Sequence, residues 1–382
     1  MRVLYDHQAF LYNDYGGVAR YYAELVRQAR DSEALKPKVV ALFGENVHLR
    51  EIAGQLQFSL FGGRFPGRLI TYRKLNEMVS RAALRIGRYD VFHCTYYDSY
   101  YRRGDVQGPV ITTVHDLSYE DWHDMPERKK IIGERKKNLR LSDRIICVSH
   151  ATKARLLQLY PWLRESSTHV VHHGWRPWTT PSESMVKRTR SVLYVGNRRV
   201  AYKNFDTYVR AMGLLHSRAR DVTFICAGGG AFSGREMCMI RRYGLEAVMK
   251  HREILSDEDL GRVYGESTVF VYPSKCEGFG MPVLEAFAAR CPVVLARAGA
   301  LPEVGGDAAV YFDANNPDEL ANKVIRLLNS KQEQKKLVSQ GARRLSAFSW
   351  EKAFRETTEI YRDAFANYAD NHFRKKSWIA YR

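Results

Sequence analysis

The stretch TVFVYPSKCEGFGMPVLE, residues 268–285, carries the strongest indication of the fold. Its first five residues predict a strand, Thr268–Tyr272, that is apolar enough to be buried on both faces. A glycine-punctuated loop follows, and Pro282 suits the first turn of a helix, where the N–H that proline lacks would have no partner. A buried strand, a loop and a helix in this order are the repeating unit of a parallel α/β sheet.

The same alternation of β-branched runs and helical patterns continues along the chain in both directions. In the first half the predicted strands are Val3–Tyr5, Lys38–Phe43, Val91–Cys94, Val110–Val114, Arg144–Val148 and His169–His172. In the second half they are Ser191–Val195, Val222–Ala227, Thr268–Tyr272, Pro292–Leu295 and Ala309–Phe312. The sequence therefore predicts an α/β protein with two Rossmann-like domains, each a doubly wound parallel sheet.

The domain boundaries follow from a segment without periodicity. Residues 174–190 combine two prolines with several serines and threonines, which is typical of a linker. We expect an N-terminal domain over residues 1–173, a C-terminal domain over 191–349, and a C-terminal helix over 350–382 that crosses back to the N-terminal domain. Two such domains would face each other across a cleft, with ligands at the carboxyl ends of the strands.

Composition excludes several classes of protein. With 382 residues, 45% of them hydrophobic and 27% charged, the chain is neither disordered nor repetitive. Six scattered cysteines without a Cys-x-x-Cys pair argue against a structural zinc site and a secreted disulfide framework, and favour a reducing compartment. We see no apolar run of about 20 residues and no signal-peptide pattern, so we expect a cytoplasmic protein.

The net charge of +18 is shared equally by the two halves of the chain, so it is not a basic tail. Nucleic acid, an anionic membrane and a phosphorylated substrate are all compatible with it. Two basic amphipathic stretches, Arg64–Arg88 and Arg128–Arg144, are either solvated helix faces or a surface for an anionic membrane. Duplex DNA is disfavoured because no helix-turn-helix or other reading module accompanies the charge.

Two loops in the N-terminal half follow predicted strands. Gly16 and Gly17, within Asp14–Arg20, precede a helix start whose N–H groups could meet an anion, although a tight turn explains them equally well. His115 follows Val110–Val114 directly, at the end of a strand where active-site residues collect. Its imidazole could donate or accept a hydrogen bond, and the Asp116 carboxylate could orient it.

Two loops in the C-terminal half repeat this arrangement. After Ser191–Val195, Arg198 and Lys203 lie beside a helix start, either as a clamp for a diphosphate or as solvated charge. After Thr268–Tyr272, Glu277 lies on the loop and Glu285 about one turn into the helix, so they would reach different parts of one extended ligand. Between them, the amides of three residues could face that ligand: Phe279, Gly280 and Met281.

One acidic motif resembles a metal-binding site but is better explained as a helix start. Asp257-Glu258-Asp259 has the Asp-x-Asp form that binds a metal–nucleotide complex in some transferases. Here Ser256 precedes it and an apolar helix follows, so we interpret Ser256 as the helix N-cap and the acids as favourable charges in the first turn.

Taken together, these residues resemble the GT-B-fold retaining glycosyltransferases of family 4, and within it the bacterial mannosyl- or rhamnosyl-type transferases of surface polysaccharide and lipopolysaccharide synthesis. The resemblance covers essentially the whole chain, and its most specific part is the Glu-x7-Glu block from Glu277 to Glu285. The supporting motifs are Asp6-His7-Gln8, Tyr15-Gly16-Gly17, Val91-Phe92-His93, Val114-His115-Asp116, Val148-Ser149, Gly196…Lys203-Asn204 and Leu301-Pro302-Glu303-Val304.

The resemblance implies a role for each matched residue. Glu277 would contact hydroxyls of the donor sugar and Glu285 the nucleotide ribose, while Arg198 and Lys203 would hold the diphosphate. The amides of Gly17 and of residues 279–281 would bind sugar and phosphate oxygens. Gly16 would belong to the same donor-binding turn as Gly17. His115 would lie beside the reacting sugar carbon, and Leu255 would meet the base. The segment from Gly196 to Lys203 is one residue longer than in many members, so Arg199 competes with the favoured Arg198.

The resemblance also implies the partners. We expect a nucleotide-sugar donor, with GDP-mannose ahead of dTDP-rhamnose and UDP-sugars, a glycan or lipid-linked acceptor, and no metal or other cofactor. An anionic membrane surface is expected as a partner and nucleic acid is not. Two alternatives remain at this point: a basic nucleic-acid-binding protein on a Rossmann-like scaffold, and a catalytically idle GT-B scaffold protein.

Overall fold

The computed structural model describes residues 1–11, 16–30, 32–43, 46–53, 68–176 and 188–380, with side chains up to residue 370. The chain divides into two compact units. The first unit comprises Met1–Gly174 together with Trp350–Arg382, and the second comprises Trp175–Ser349. Asp14 and Tyr15, residues 64–67 of the first basic stretch and most of the expected linker lie outside the described residues.

The first unit is built on a six-stranded sheet in which every described strand pairs in parallel, in the order β2-β1-β3-β4-β5-β6. Its inner strands are rich in apolar and β-branched residues, and β3 and β4 are buried along their whole length. The strands are β1 Arg2–Tyr5, β2 Lys36–Val39, β3 Val91–Cys94, β4 Val110–Val114, β5 Arg144–Cys147 and β6 Thr168–Val170.

Helices connect these strands as parallel pairing requires. They are α1 Gly17–Arg30, α2 Val47–Ala53, α3 Arg68–Ile86, α4 Ser118–Asp121, α5 Arg128–Leu141 and α6 His150–Leu159. The long C-terminal helix, α14 Trp350–Ala380, belongs to the same unit and packs against α1 and β3. Its Tyr361 side chain is fully buried, and the Tyr361 hydroxyl lies 3.0 Å from that of Tyr5.

The second unit has a six-stranded sheet of the same kind, in the order β12-β11-β10-β7-β8-β9, again with parallel pairing throughout the described strands. The strands are β7 Ser191–Val195, β8 Thr223–Ala227, β9 Met249–Arg252, β10 Val269–Tyr272, β11 Val293–Ala296 and β12 Ala309–Phe312. The helices are α7 Phe205–Arg218, α8 Gly234–Arg242, α9 Asp257–Glu266, α10 Met281–Ala288, α11 Leu301–Gly305, α12 Pro317–Asn329 and α13 Lys331–Leu345. The prediction of two Rossmann-like, doubly wound parallel sheets is confirmed.

Three strand predictions need correction. The strand expected at Lys38–Phe43 is β2, Lys36–Val39, and the one expected at His169–His172 ends at Val170. The prediction misses β9, Met249–Arg252, because this edge strand reads Met-Lys-His-Arg and is largely polar. Polar residues suit an edge strand since one side of it has no neighbouring strand.

None of the helices in the described part of the chain combines the length and the apolar composition needed to cross a bilayer.

Candidate active site

In the second unit, the side chain of Asn204 links the loop that follows β7 to the loop that follows β10 by a hydrogen bond. Its backbone is left-handed, with φ of 60°, a conformation that asparagine tolerates better than most residues. The buried Asn204 amide donates hydrogen bonds to the carbonyls of Pro273, at 3.0 Å, and Ala314, at 2.7 Å. The Lys275 N–H donates to the Tyr202 carbonyl at 2.8 Å. These bonds fix Lys203, at the end of one loop, against the other loop.

Lys203, Glu277 and Tyr272 form a closed triangle of hydrogen bonds. The Lys203 Nζ donates to the Glu277 Oε1 at 2.6 Å and to the Tyr272 hydroxyl at 2.9 Å. The Tyr272 hydroxyl in turn donates to the same Glu277 oxygen at 2.6 Å. The side chains of Lys203 and Glu277 are only 18% and 12% exposed. The two residues that sequence analysis assigned to the diphosphate and the sugar therefore lie side by side.

This geometry determines the charge on the lysine. Burial alone would lower the pKa of Lys203, but the adjacent Glu277 carboxylate raises that pKa above its ordinary value. Burial raises the pKa of Tyr272 well above its ordinary value, and Glu277 adds to the effect. At neutral pH the triangle therefore holds an ammonium and a neutral phenol. A cation and a hydrogen-bonding carboxylate at one point suit a ligand that carries both phosphate and hydroxyl groups.

The loop after β11 supports Glu277 from behind. The Ala300 N–H donates to the Glu277 carbonyl at 3.0 Å. Gly299 has a positive φ of 51°, and a Cβ atom at this position would lie 2.6 Å from the Glu277 carbonyl oxygen. Only glycine therefore fits here without displacing the backbone of Glu277.

Glu277 leads directly into α10. Gly280 precedes this helix with φ of 109°, and Pro282 is in its first turn, as expected. Phe279 is buried, with its ring 5.8 Å from that of Phe348. Gly280 is buried too, and Met281 is half-buried. The buried Phe279 side chain therefore holds the start of α10 in place.

Glu285 lies one turn into α10, as predicted, and accepts a hydrogen bond from the Tyr264 hydroxyl at 3.1 Å. Leu255 lies between β9 and α9 and is 73% exposed, unusual for a large apolar residue. The Ser256 hydroxyl accepts the Asp259 N–H at 3.2 Å, so the Asp-x-Asp motif begins α9 with a capped turn.

The preference for Arg198 over Arg199 is not supported by the geometry. Arg198 is buried, pairs with Glu236 at 2.8 Å, and donates to the carbonyls of Gly228 and Gly230. Burial alone would raise the pKa of Glu236, but the Ser233 N–H and hydroxyl and the Arg198 charge hold it below the ordinary value. Arg198 therefore fastens the glycine-rich turn after β8. Both arginines line a recess of about 410 Å³ together with Lys275, but Arg199 is exposed and Arg198 is buried.

In the first unit, His115 follows β4 as predicted and lies among aromatic rings. Its ring stacks on His173 at 5.8 Å and meets the edge of Tyr21 at 5.1 Å. The His115 N–H donates to the Tyr97 hydroxyl at 3.1 Å, while the buried Nε2 has no hydrogen-bond partner among the described residues. Burial, assisted by His93 and Arg135, lowers the pKa of His115 to about 3, so the imidazole is neutral near pH 7.

The expected orientation of His115 by Asp116 is wrong. The Asp116 carboxylate instead accepts the N–H and hydroxyl of Ser118, at 3.1 and 2.8 Å, at the start of α4. Gly17 begins α1, and the Gly16 carbonyl accepts the Arg20 N–H at 2.9 Å. Because Tyr21 of this helix contacts His115, the two motifs of the first unit are packed together.

Four residues that position the site were not among the predicted site residues, although Asn204 belongs to one of the supporting motifs. Tyr272, Asn204, Glu236 and Gly299 each contact a predicted site residue or its loop. Asn204 next to Lys203 was a visible signal, since a polar residue with left-handed preference stands just before α7. Nothing in the local sequence distinguishes Tyr272 from an ordinary strand tyrosine.

Two family models match the chain in succession. The model described as Glycosyltransferase Family 4 matches residues 15–177, and the model described as Glycosyl transferases group 1 matches residues 180–344. Together they match most of both units but not the C-terminal helix α14.

Two curated relatives are mannosyltransferases by description. The chain is 26% identical to O-antigen chain mannosyltransferase B of Escherichia coli, over 91% of this chain and 96% of the relative. It is 34% identical to the MMP alpha-(1->4)-mannosyltransferase of Mycolicibacterium hassiacum, over 46% of this chain and 45% of the relative.

Solved structures share the fold. The sucrose-phosphate synthase of Thermosynechococcus elongatus aligns with a TM-score of 0.75 and 19% identity, over 96% of this chain and 99% of that one. HepE of Anabaena, solved with UDP and glucose, aligns with a TM-score of 0.72 and 17% identity, over 95% and 100% of the two chains. At these identities the likeness concerns the fold alone.

Proposed function

We propose that this chain, which belongs to the glycosyltransferases of family 4 and has their two-domain GT-B fold, moves a hexosyl residue from a nucleotide-sugar to a glycan or lipid-linked acceptor. Glycosyl transfer is the activity that both family descriptions name, and one relative over nearly the whole chain is named for O-antigen chain synthesis. The identity of the donor, the stereochemistry of transfer and the identity of the acceptor are our proposals.

The best candidate for the donor is GDP-mannose. Two relatives described as mannosyltransferases favour a mannosyl donor. One neighbour in fold was solved with UDP, so the base has to be tested rather than assumed. dTDP-rhamnose and UDP-hexoses are the alternatives.

The observation that carries the proposal is the ion pair between Lys203 and Glu277 at 2.6 Å. We assign the Lys203 ammonium to the donor diphosphate and the Glu277 carboxylate to hydroxyls of the donor sugar. The amides at the start of α10 would bind phosphate and sugar oxygens, Glu285 the ribose, and exposed Leu255 the base. The pair keeps both charges in place before the donor arrives, and preorganised charges of this kind are usually the largest contribution to catalysis.

We assign the second phosphate contact to Arg199, because the Arg198 guanidinium is already bonded to Glu236 and to two carbonyls. Lys203 and Arg199 together would neutralise the negative charge that grows on the leaving diphosphate. Protein cations can serve this purpose in place of a divalent metal ion. We therefore propose that transfer is independent of added metal.

For the reaction itself we propose retention through an oxocarbenium-like state. The bond between the sugar C1 and the phosphate oxygen breaks, the acceptor oxygen bonds to C1, and the acceptor proton passes to the departing phosphate. His115 would lie beside the reacting carbon. Because the pKa of His115 is lowered to about 3, it would act there as a neutral hydrogen-bonding group and not as a proton donor.

We further propose that the acceptor side of the protein meets an anionic membrane at the cytoplasmic face. Helix α3 supports this proposal because Ile70 and Met78 are 60% and 68% exposed. Lys74 and Arg81 share the same helix face, since all four residues are spaced by three or four positions. Apolar and cationic side chains on one exposed face are typical of helices that lie on an anionic bilayer.

A thermal-shift panel with GDP, UDP and dTDP tests the donor assignment. A ligand that binds only the folded state stabilises it by about 2.7 kcal/mol at one hundred times its Kd. We expect one nucleoside diphosphate, with GDP favoured, to raise the unfolding midpoint by several degrees.

Two variants make the panel specific. Lys203→Ala removes the proposed phosphate ligand and should abolish most of the shift, whereas Lys250→Ala, an exposed lysine of the edge strand β9, should preserve it. The absence of a shift with all three nucleotides, or an equal shift in Lys203→Ala, would refute the assignment.

A further inference from the structure

A cationic groove of about 880 Å³ lies in the second unit, and its lining residues take no part in the proposed reaction. Six arginines and lysines line it, and none of its lining residues among the described part of the chain is acidic. All six side chains are exposed: Arg188, Arg262, Arg290, Lys331, Lys335 and Arg343. The groove reaches Ala288 at the carboxyl end of α10, whereas Glu277 precedes the opposite end of that helix.

One wall of the groove is a single face of α13. Its lining residues recur at intervals of three and four, from Lys331 through Lys335 and Ser339 to Arg343. This spacing is that of one side of a helix. With a rise of about 1.5 Å per residue, the wall is about 18 Å long. The opposite wall comes from α9, at Arg262 and Gly265.

The floor of the groove is made by small residues and its rim by cations. Gly261, Ala288 and Ala289 are buried or half-buried, so backbone can approach closely there. The ammonium groups of Lys331 and Lys335 form no ion pair or hydrogen bond with the residues that the structure describes. Among the described residues, the acidic partner of Arg262 is Asp259 of the same helix, at 3.3 Å.

The length, composition and charge of the groove argue against four other ligands. A single phosphate is much shorter than a row of cations about 18 Å long. Single-stranded nucleic acid without sequence preference is normally held by aromatic rings as well as charge, and none of the described residues that line the groove is aromatic. A bilayer would need exposed large apolar residues, and among the described residues the groove has none. A second copy of this chain, with a net charge of +18, would be repelled.

We propose that this groove is a docking surface for an acidic amphipathic helix of a partner protein. About three turns of such a helix would lie along α13, with small apolar residues on the floor and carboxylates against the cationic rim. This is the helix-in-groove mode of recognition, with the charges providing selectivity. The inference is independent of the donor site, and it would stand if the proposed reaction were wrong.

The test uses the full chain and a fluorescent peptide of 18 residues, with glutamates on one helical face and alanine and leucine on the other. A scrambled peptide of the same composition loses the two faces but keeps the charge. We expect the amphipathic peptide to bind at least tenfold more tightly than the scrambled one in an anisotropy titration. Equal binding of the two peptides, or no binding, would overturn the proposal.

Two double variants with the same net charge locate the binding. Lys335→Glu/Arg343→Glu reverses two cations of the groove, and we expect it to weaken peptide binding at least tenfold. Lys336→Glu/Lys250→Glu reverses two exposed cations that do not line the groove, and it should change the affinity less than twofold. Equal weakening in both variants would mean that the peptide follows net charge, which contradicts a specific groove.

Competitors distinguish the remaining sources of negative charge. Tripolyphosphate, a 15-residue oligothymidylate and phosphatidylglycerol vesicles are added at equal charge concentration. We expect each to displace the peptide weakly and equally in the parent protein and the control variant. Displacement by any of them as efficient as that by the unlabelled peptide would identify the groove as a site for that anion instead. Unfolding midpoints of all variants confirm that they are folded.

Discussion

At the scale of single residues, the account depends on one triangle of hydrogen bonds. Glu277 was predictable because a carboxylate on a glycine-punctuated loop after a buried strand has few structural uses. Lys203 was predictable for its place after β7, although 74 residues separate it from Glu277. Tyr272 was not, because its role depends on two partners that only the folded sheet brings to its hydroxyl.

The sequence alone does not determine which of Arg198 and Arg199 is available to bind a phosphate. Adjacent arginines on one loop are equivalent in composition, and either could face a phosphate. The fold separates them, because Glu236 lies 38 residues further on and draws Arg198 into a buried ion pair. A buried arginine without this partner would be strongly destabilising, so the pairing decides which side chain remains exposed.

Tyr272→Phe tests the triangle directly. The change removes the hydroxyl that bonds to both Lys203 and Glu277 but keeps the ring in the core. A hydrogen bond of this kind contributes about 1–1.5 kcal/mol, so we expect kcat/KM to fall about tenfold.

Tyr208→Phe is the matched control. Its hydroxyl is also buried but donates to the Val192 carbonyl, away from the site. Stability should decrease in both variants, whereas the catalytic loss should be confined to Tyr272→Phe. Equal kinetics in the two variants would show that the triangle does not position the charged pair.

At the scale of elements, the strands that the sequence predicts well are rich in apolar and β-branched residues. Strands β3 and β4 were predicted with their bounds because they are buried on both faces. The polar edge strand β9 was missed because only pairing with β8 makes it a strand. His173 lies three residues beyond the end of β6, and its ring stacks on that of His115 at 5.8 Å.

Helix α3 is the element for which we make a membrane prediction. Ile70→Glu/Met78→Glu replaces the two exposed apolar side chains on its cationic face. We expect this variant to co-sediment with phosphatidylglycerol vesicles at low salt at least tenfold less than the parent protein, because apolar burial and charge attraction are both reduced.

The control for α3 makes the same type of change elsewhere in the first unit. Trp162 and Phe365 are 42% and 40% exposed and lie outside α3. Trp162→Glu/Phe365→Glu should retain vesicle binding. Loss of binding in both variants, or no binding by the parent protein, would remove α3 from the account.

At the scale of the whole molecule, the two parallel sheets were predictable because alternating strands and helices allow few other arrangements. The net charge of +18 was visible, but its distribution was not. The cationic groove gathers side chains from four separate stretches of the second unit, including Arg188, Arg262, Arg290 and Lys335. No local sequence pattern predicts such a surface, because it forms only when α9, α10 and α13 pack together.

The measurement that tests the central claim most directly is sugar transfer in the presence of EDTA. Labelled GDP-mannose, dTDP-rhamnose and UDP-glucose are each incubated with bacterial lipid-linked glycans and the parent protein, Glu277→Ala or Lys250→Ala. We predict transfer from one donor by the parent protein and by Lys250→Ala, and a loss of at least a hundredfold in folded Glu277→Ala. Full transfer by Glu277→Ala, or no transfer from any donor by the parent protein, would contradict the account.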